Sequence, residues 1–178
     1  VDVSKYDCIY AGAQKNLAMA GVTVIIVKND KLGRAPRQIP TMLDYRTHVD
    51  KGSMFNTPPV VPIYCALETL RWIKKSGGVE AMDKKAIERA KIIYDEIDRN
   101  RLFRGTVKEE DRSLMNVVFN LTDESTKDRF DALCKEANIS GVKGHRSVGG
   151  YRASIYNAMP IESVQVLVEV LKEFERTA

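Results

Sequence analysis

Apolar and polar positions along the 178-residue chain form blocks that predict strands first and helices later. Residues 6–11 and 22–28 are short, poor in charge and bounded by turn-forming residues, which predicts two buried strands. Residues 34–62 are irregular and rich in proline and glycine, yet they carry methionine, leucine, tyrosine and phenylalanine side chains, unlike a disordered segment. A stretch of this length inside a compact fold is usually functional.

After Pro62 the apolar spacing becomes helical and predicts a helix that ends at Gly77–Gly78. That glycine pair is a candidate domain boundary, and residues 79–100 after it predict a longer amphipathic helix. The remaining pattern predicts a strand over 113–122, a helix over 124–138, a strand over 151–156 and a closing helix over 161–177. The part after the boundary is therefore an α+β or α/β layer.

Composition narrows the class of protein. Hydrophobic residues make up 44% and charged residues 29%, as in ordinary globular domains. No apolar run approaches the roughly 20 residues that cross a bilayer, so we expect no membrane partner. The net charge of +4 comes from basic residues interleaved with acidic ones, and we expect no nucleic-acid partner. Because the chain begins with Val1 on a strand-like segment, we expect it to be part of a longer protein.

The three cysteines, Cys8, Cys65 and Cys134, form no C-x-x-C pair, and we expect no metal site. Cys8 and Cys65 lie in apolar contexts, which predicts reduced, buried thiols of a cytoplasmic protein.

One lysine, Lys15, lies among small residues in "YAGAQKNLAMAG", between the two predicted strands. A lysine amine has a pKa of about 10.4 in water and is protonated at neutral pH. Desolvation or a nearby cation favours the neutral amine, which can form a Schiff base with an aldehyde or carbonyl. Small neighbours leave room for a flat ring to approach: Ala11, Gly12, Ala13 and Ala18. The alternative is a solvated lysine on an exposed turn, and the glycine spacing excludes a Walker loop.

A second constellation, "KGHRSVGGYRASIYNAM", brings Lys143, His145, Arg146 and Arg152 into one glycine-rich turn and strand. Such a cluster can present several N–H donors to an anion, and an arginine can grip a carboxylate with two of them. A basic surface hairpin is the alternative interpretation.

The third motif is "NTPP", residues 56–59. Asn56 and Thr57 can cap the following helix or donate to a phosphate, and capping is favoured on sequence alone. His48 lies in the irregular segment, and we expect it on the surface without a partner.

Three of these segments, "YAGAQKN", "GSMFNTPP" and "KGHRSVGGYRASIYNAMP", closely resemble the C-terminal half of the phosphoserine aminotransferase family. Members of this family are pyridoxal-phosphate enzymes of fold type I. The resemblance implies an α/β fold in which residues 1–75 end the large PLP-binding domain, with its mostly parallel sheet. It implies that residues 76–178 form the small C-terminal α+β domain. One departure is local: after "GAQKN" the family usually continues Ile-Gly-Pro-Ala-Gly, and here Ala18 and Met19 replace the glycine and the proline.

The resemblance also implies a role for each matching residue. Lys15 matches the Schiff-base lysine, and Gln14 matches a contact to the cofactor phosphate. Asn56 and Thr57 match residues that reach the partner subunit's cofactor phosphate in a homodimer. His145 and Arg146 match residues near the substrate phosphate or the side-chain carboxylate of glutamate, and Arg152 matches the arginine that binds the α-carboxylate.

The reaction implied is transamination between O-phospho-L-serine/3-phosphohydroxypyruvate and glutamate/2-oxoglutarate in serine biosynthesis. Without the family's first half, we expect this piece to leave apolar faces uncovered and to be inactive alone. Two other functions stay open on sequence: another fold type I pyridoxal-phosphate enzyme, and a non-catalytic anion-binding module in which Lys15 is structural.

Overall fold

The computed structural model describes residues 1–145, 147 and 149–177. The chain divides into two compact units, unit 1 (Val1–Lys75) and unit 2 (Ser76–Ala178). That unit 1 ends a large cofactor domain and unit 2 is a small domain remains a prediction. Within the described residues, no helix is long and apolar enough to cross a bilayer.

Unit 1 begins with two strands, β1 (Cys8–Gly12) and β2 (Thr23–Val27), which pair antiparallel from Cys8↔Val27 to Gly12↔Thr23. The two predicted strands are therefore present, and the segment between them folds back as a turn. Both sheets in the described part of the chain are antiparallel. The parallel strands that the resemblance implies are thus not represented there.

The predicted burial of these strands is wrong for this chain. Tyr10 is 77% exposed, and Val24, Ile25 and Ile26 are also exposed. Cys8 is exposed and Cys65 is half-buried, so neither is the buried thiol that we predicted. The physical reason is that β1 and β2 form a two-stranded ribbon, which has two faces and cannot cover either of them itself.

The irregular segment of unit 1 contains a helix that the sequence pattern did not predict, α1 (Tyr45–Asp50). The Asp44 carboxylate caps it by accepting a 3.0 Å hydrogen bond from the Arg46 amide. The next helix, α2 (Val60–Lys75), begins two residues before Pro62 rather than after it. A proline is tolerated in a first helical turn because the amides there have no intrahelical acceptor.

Unit 2 has three helices and one three-stranded sheet in its described part. Their bounds are α3 (Gly78–Arg99), β3 (Phe103–Gly105), β4 (Asn116–Leu121), α4 (Lys127–Glu136), β5 (Tyr151–Ser154) and α5 (Ile161–Arg176). The sheet is antiparallel with the order β3-β4-β5. Burial alternates along β4, so one face of the sheet is covered and the other is half-exposed. Short 3-10 turns complete the chain at Val3–Lys5, Asn29–Lys31, Thr41–Leu43, Glu109–Asp111 and Glu124–Thr126.

The core of unit 2 is an aromatic cluster between sheet and helices. The Phe130 ring centroid lies 4.8 Å from that of Tyr151 and 5.2 Å from those of Phe103 and Phe174, with the rings steeply inclined to one another. Such edge-to-face pairs stabilise beyond their buried area, by about 0.5–1.5 kcal/mol each. Phe119 of β4 stacks on Tyr151 at 5.5 Å, so this cluster fixes the start of β5.

Polar groups tie the end of α3 to α5. Asn100 is 1% exposed, and its side-chain amide donates to the Leu171 carbonyl at 3.0 Å and to Glu96 at 2.9 Å. Arg99 bridges Glu96 and Glu175, each at 2.7 Å. Burial raises the pKa of the Glu96 carboxyl, but the hydrogen bonds from Arg99 and Asn100 outweigh it, and the pKa lies below its usual range.

Candidate functional site

Lys15 lies in a tight turn that closes the β1–β2 ribbon of unit 1. Ala13, which is 1% exposed, makes the backbone hydrogen bonds that hold this turn. The Ala13 amide donates to the Val22 carbonyl at 2.9 Å. The Ala13 carbonyl accepts from the Leu17 amide at 3.2 Å and the Ala18 amide at 2.7 Å. The turn thus forms with Ala18 at the position where the family has glycine.

The backbone of Lys15 is strained. Its φ is +81°, a left-handed conformation that costs a side-chain-bearing residue about 1–2 kcal/mol. Lys15 and its neighbour Gln14 are exposed in this chain. The surrounding hydrogen bonds hold a lysine in a conformation that glycine adopts freely, and strain of this kind clusters at functional sites.

The space beside the turn suits a flat ligand. A Cβ built on Gly12 meets nothing within 4 Å, so the end of β1 is open above its backbone. Ala11 and Gly12 are both exposed and small. The small residues present therefore leave open the approach that the planar cofactor implied by the resemblance would need.

Asn56 and Thr57 lie together in an exposed segment of unit 1. Because α2 begins at Val60, its cap position is Pro59, and the favoured interpretation of Asn56 and Thr57 as helix caps is wrong. Their side chains remain available as polar donors to a ligand.

His48 differs from the prediction of a surface residue without a partner. It is half-buried in α1, and its Nε2 atom lies 3.0 Å from the Met42 carbonyl oxygen. This contact ties α1 to the preceding 3-10 turn and gives His48 a structural role.

His145 and Arg152 lie on one loop-and-strand segment of unit 2, and both are exposed. Arg146, the third predicted residue there, lies outside the described residues. The Nδ1 atom of His145 lies 2.8 Å from Ser147 Oγ and accepts a 3.3 Å hydrogen bond from the Ser147 amide. Arg152 lies on β5, opposite Val118 of β4.

Two short chain segments, which we call the two arms (142–144 and 150–152), carry these residues. The arms pair through hydrogen bonds from the Gly144 amide to the Gly150 carbonyl, 2.8 Å, and from the Arg152 amide to the Val142 carbonyl, 2.7 Å. A Cβ on Gly144 would overlap the Gly149 carbonyl oxygen, so only glycine permits this approach.

The sequence pattern did not indicate that Asp131 of α4 belongs to this region. Its carboxylate lies 2.7 Å from Lys143 Nζ and accepts a 2.9 Å hydrogen bond from the Tyr151 hydroxyl. Partial burial raises the pKa of the Asp131 carboxyl, but these two hydrogen bonds outweigh it, and the pKa is lowered. Lys143, a predicted member of the basic cluster, is therefore paired with an acid. No spacing rule links an acid on a helix to a lysine 12 residues later.

The predicted residues are distributed between both units. Unit 1 contains Gln14 and Lys15 in one turn and Asn56 and Thr57 in one segment, and unit 2 contains His145 and Arg152. Among the described residues, no group of three or more histidine, cysteine or acidic side chains could hold a metal ion.

Comparison with known proteins places the chain in a family. The family model described as "Aminotransferase class-V" matches residues 1–167. The chain is 63% identical over 178 residues to a phosphoserine aminotransferase of Parabacteroides distasonis, covering 99% of this chain and 50% of that protein.

Solved structures of phosphoserine aminotransferases are also similar to this chain. Phosphoserine aminotransferase from Bacillus circulans subsp. alkalophilus superposes with a TM-score of 0.93 at 44% identity, covering 99% of this chain and 49% of that one. The PLP-bound enzyme from Trichomonas vaginalis gives 0.88 at 40% identity, covering 97% and 49%. These matches confirm the predicted fold class. The chain spans about half the length of the curated relatives that it matches, and it belongs to the class-V aminotransferase family.

Proposed function

We propose that this chain is the C-terminal half of a pyridoxal-phosphate-dependent phosphoserine aminotransferase. The observation that carries the proposal is the turn at Lys15, where a strained, non-glycine backbone holds a lysine beside open space. The reaction moves the amino group of glutamate to 3-phosphohydroxypyruvate, giving O-phospho-L-serine and 2-oxoglutarate, and it is reversible. It belongs to serine biosynthesis, which we place in the cytoplasm.

Four residues of unit 1 hold the cofactor in this proposal. Lys15 Nζ anchors it and later carries the proton that moves at the substrate carbon, while Gln14 contacts its phosphate. Asn56 and Thr57 donate across a homodimer interface to the phosphate of the partner subunit's cofactor, which their exposure supports. When bound, pyridoxal phosphate supplies an electron sink for the carbanion formed at the substrate carbon.

The substrate's anionic groups bind to unit 2. His145 and Arg146 take the phosphate of phosphoserine or the side-chain carboxylate of glutamate, and Arg152 takes the α-carboxylate. In support, Ser147 contacts His145 at Nδ1, so Nε2 is the ring nitrogen that is left to donate to a ligand. An Nε2–H group is the donor that an anion requires.

The first test asks whether Lys15 binds the cofactor. The natural protein that contains this chain is incubated with pyridoxal phosphate, reduced with borohydride and digested, and we expect mass spectrometry to find a pyridoxyl group on Lys15. Lys15→Arg keeps the charge but loses the adduct, and transaminase activity falls by at least about 10³-fold because the anchoring amine is gone.

Lys51→Arg is the matched control, an exposed lysine of the same unit. We expect this variant to keep both adduct and activity. An unmodified Lys15 in the active natural protein contradicts the proposal.

The second test separates the proposed substrate from that of another enzyme of the same fold. Phosphoserine and serine are compared as amino donors, and we expect phosphoserine to be preferred by at least about 10²-fold in kcat/KM. The reason is that a cationic cluster binds the phosphate of phosphoserine strongly, whereas the hydroxyl of serine adds little binding free energy there. Equal rates with serine would point to a different substrate.

A further inference from the structure

Asp131 connects α4 to both arms. Lys143, on the first arm, contacts one carboxylate oxygen at 2.7 Å, and Tyr151, on the second arm, donates its hydroxyl hydrogen to the other at 2.9 Å. Lys143 and Tyr151 also face each other as an antiparallel bridge pair. A single carboxylate therefore holds both sides of the chain reversal.

The two residues that Asp131 contacts differ in how well the core fixes them. Tyr151 is 3% exposed, and its ring packs between Phe119 and Phe130 of the core. The Lys143 side chain is 71% exposed, although its neighbour Val142 packs against the core. Asp131, whose side chain is 20% exposed, thus links the exposed Lys143 side chain to the fixed ring of Tyr151.

The residues proposed to bind the substrate's anions extend directly from these arms. His145 follows Gly144 at the end of the first arm, and Arg152 is the last residue of the second. We propose that Asp131 is a positioning residue, which keeps His145 and Arg152 in register by holding the arms together. The identity of the bound anions rests on the proposed function, whereas the contacts of Asp131 with the arms do not.

The test uses the natural protein that contains this chain and two readouts that need no turnover. Hydrogen exchange of the Gly144 and Arg152 amides, which bond between the arms, reports their opening. Titration with inorganic phosphate, followed by ³¹P NMR, reports anion binding. For Asp131→Asn we expect about tenfold faster exchange at these amides and about three- to tenfold weaker phosphate binding.

Glu136→Gln is the matched control, because Glu136 is an exposed acid near the end of the same helix. We expect Glu136→Gln to match the protein without substitutions in both readouts. Cofactor binding at Lys15 should be unchanged in Asp131→Asn and in Glu136→Gln. Unchanged exchange in Asp131→Asn would overturn the proposal, and so would faster exchange with unchanged phosphate binding.

Lys143→Met keeps the proposal testable if Asp131→Asn fails to fold, because the Lys143 side chain is exposed. We expect it to loosen the first arm in the same direction. The double variant should be no worse than Asp131→Asn alone, since Lys143 acts through Asp131, and additive effects would contradict this. Absence of a pyridoxyl group on Lys15 would instead reject the proposed function and leave these readouts interpretable.

Discussion

At the scale of the residue, Cys134 shows how burial controls reactivity. Its side chain is 3% exposed in the core of unit 2. Desolvation, with a smaller contribution from the charge of Asp131, raises the pKa of the Cys134 thiol from 9.0 to about 11. The thiolate, which is the reactive form, is therefore scarce at neutral pH.

We expect Cys134 to resist alkylation by iodoacetamide at pH 8 in the folded natural protein and to react in urea. Its contribution to folding free energy is fully present below pH 9 and is lost as pH rises towards 11, because the unfolded state then binds fewer protons. Mass spectrometry of the labelled peptide checks the first point, and unfolding of Cys134→Ala across this pH range checks the second. Equal labelling in the folded and unfolded protein would show that Cys134 is accessible.

At the scale of the element, glycines decide how closely the arms approach the sheet. Gly150 has a φ of +64°, and a Cβ there would overlap the Asn120 side-chain oxygen and lie 3.0 Å from the Phe119 carbonyl oxygen. Gly141 has a similar φ of +73° but open space around its Cβ position. The two positions therefore separate backbone strain from steric overlap.

We predict that Gly141→Ala lowers the free energy of unfolding by about 1 kcal/mol, through backbone strain alone. Gly150→Ala should lower it by a further ~1–3 kcal/mol, because Asn120 and the arm must move apart. It should also weaken phosphate binding, whereas Gly141→Ala should not. Urea unfolding and ³¹P titration of both variants check this, and equal effects would remove the steric argument.

Most elements of unit 2 were predictable because each repeats a local pattern. The helical spacing of apolar residues places α3, α4 and α5 within a few residues of their observed bounds. Apolar runs do the same for β4 and β5. The three-residue strand Phe103–Gly105 and the six-residue helix Tyr45–Asp50 are too short to show a period.

The site is predictable only where its residues form local motifs. Lys15, His145 and Arg152 lie in short, recognisable segments, and their roles remain predictions. The Asp131–Lys143–Tyr151 contacts were not predictable, since they depend on how α4 packs beside β5. Burial of β1 and β2 was predicted wrongly because apolar composition reveals a preference for burial without revealing what provides the cover.

At the scale of the whole molecule, unit 1 exposes many large apolar side chains. They lie on the ribbon and on α2 and include Tyr10, Val24, Ile25, Ile26, Val60, Val61, Ile63, Tyr64, Leu67, Leu70 and Trp72. Exposed apolar surface on this scale marks an interface or a liability to aggregate. Under the proposed function, the first half of the enzyme or a second subunit covers these faces.

We predict that the 178-residue chain, produced alone, binds a hydrophobic dye strongly and has no transaminase activity. The natural protein should bind little dye, because these faces are then covered. Dye fluorescence and a coupled assay on both preparations, at equal concentration, provide the measurement. Efficient turnover by the chain alone would contradict the proposed division of the active site.

The left-handed backbone at Lys15 lowers the stability of the turn, whereas the proposed reaction requires the lysine side chain there. A glycine at that position would relax the turn and raise thermal stability, since the conformation is costly only for a residue with a side chain. Engineering that selects for heat resistance alone would therefore discard the one amine on which the proposed chemistry depends. A stabilised design needs position 15 held fixed and its gains sought elsewhere.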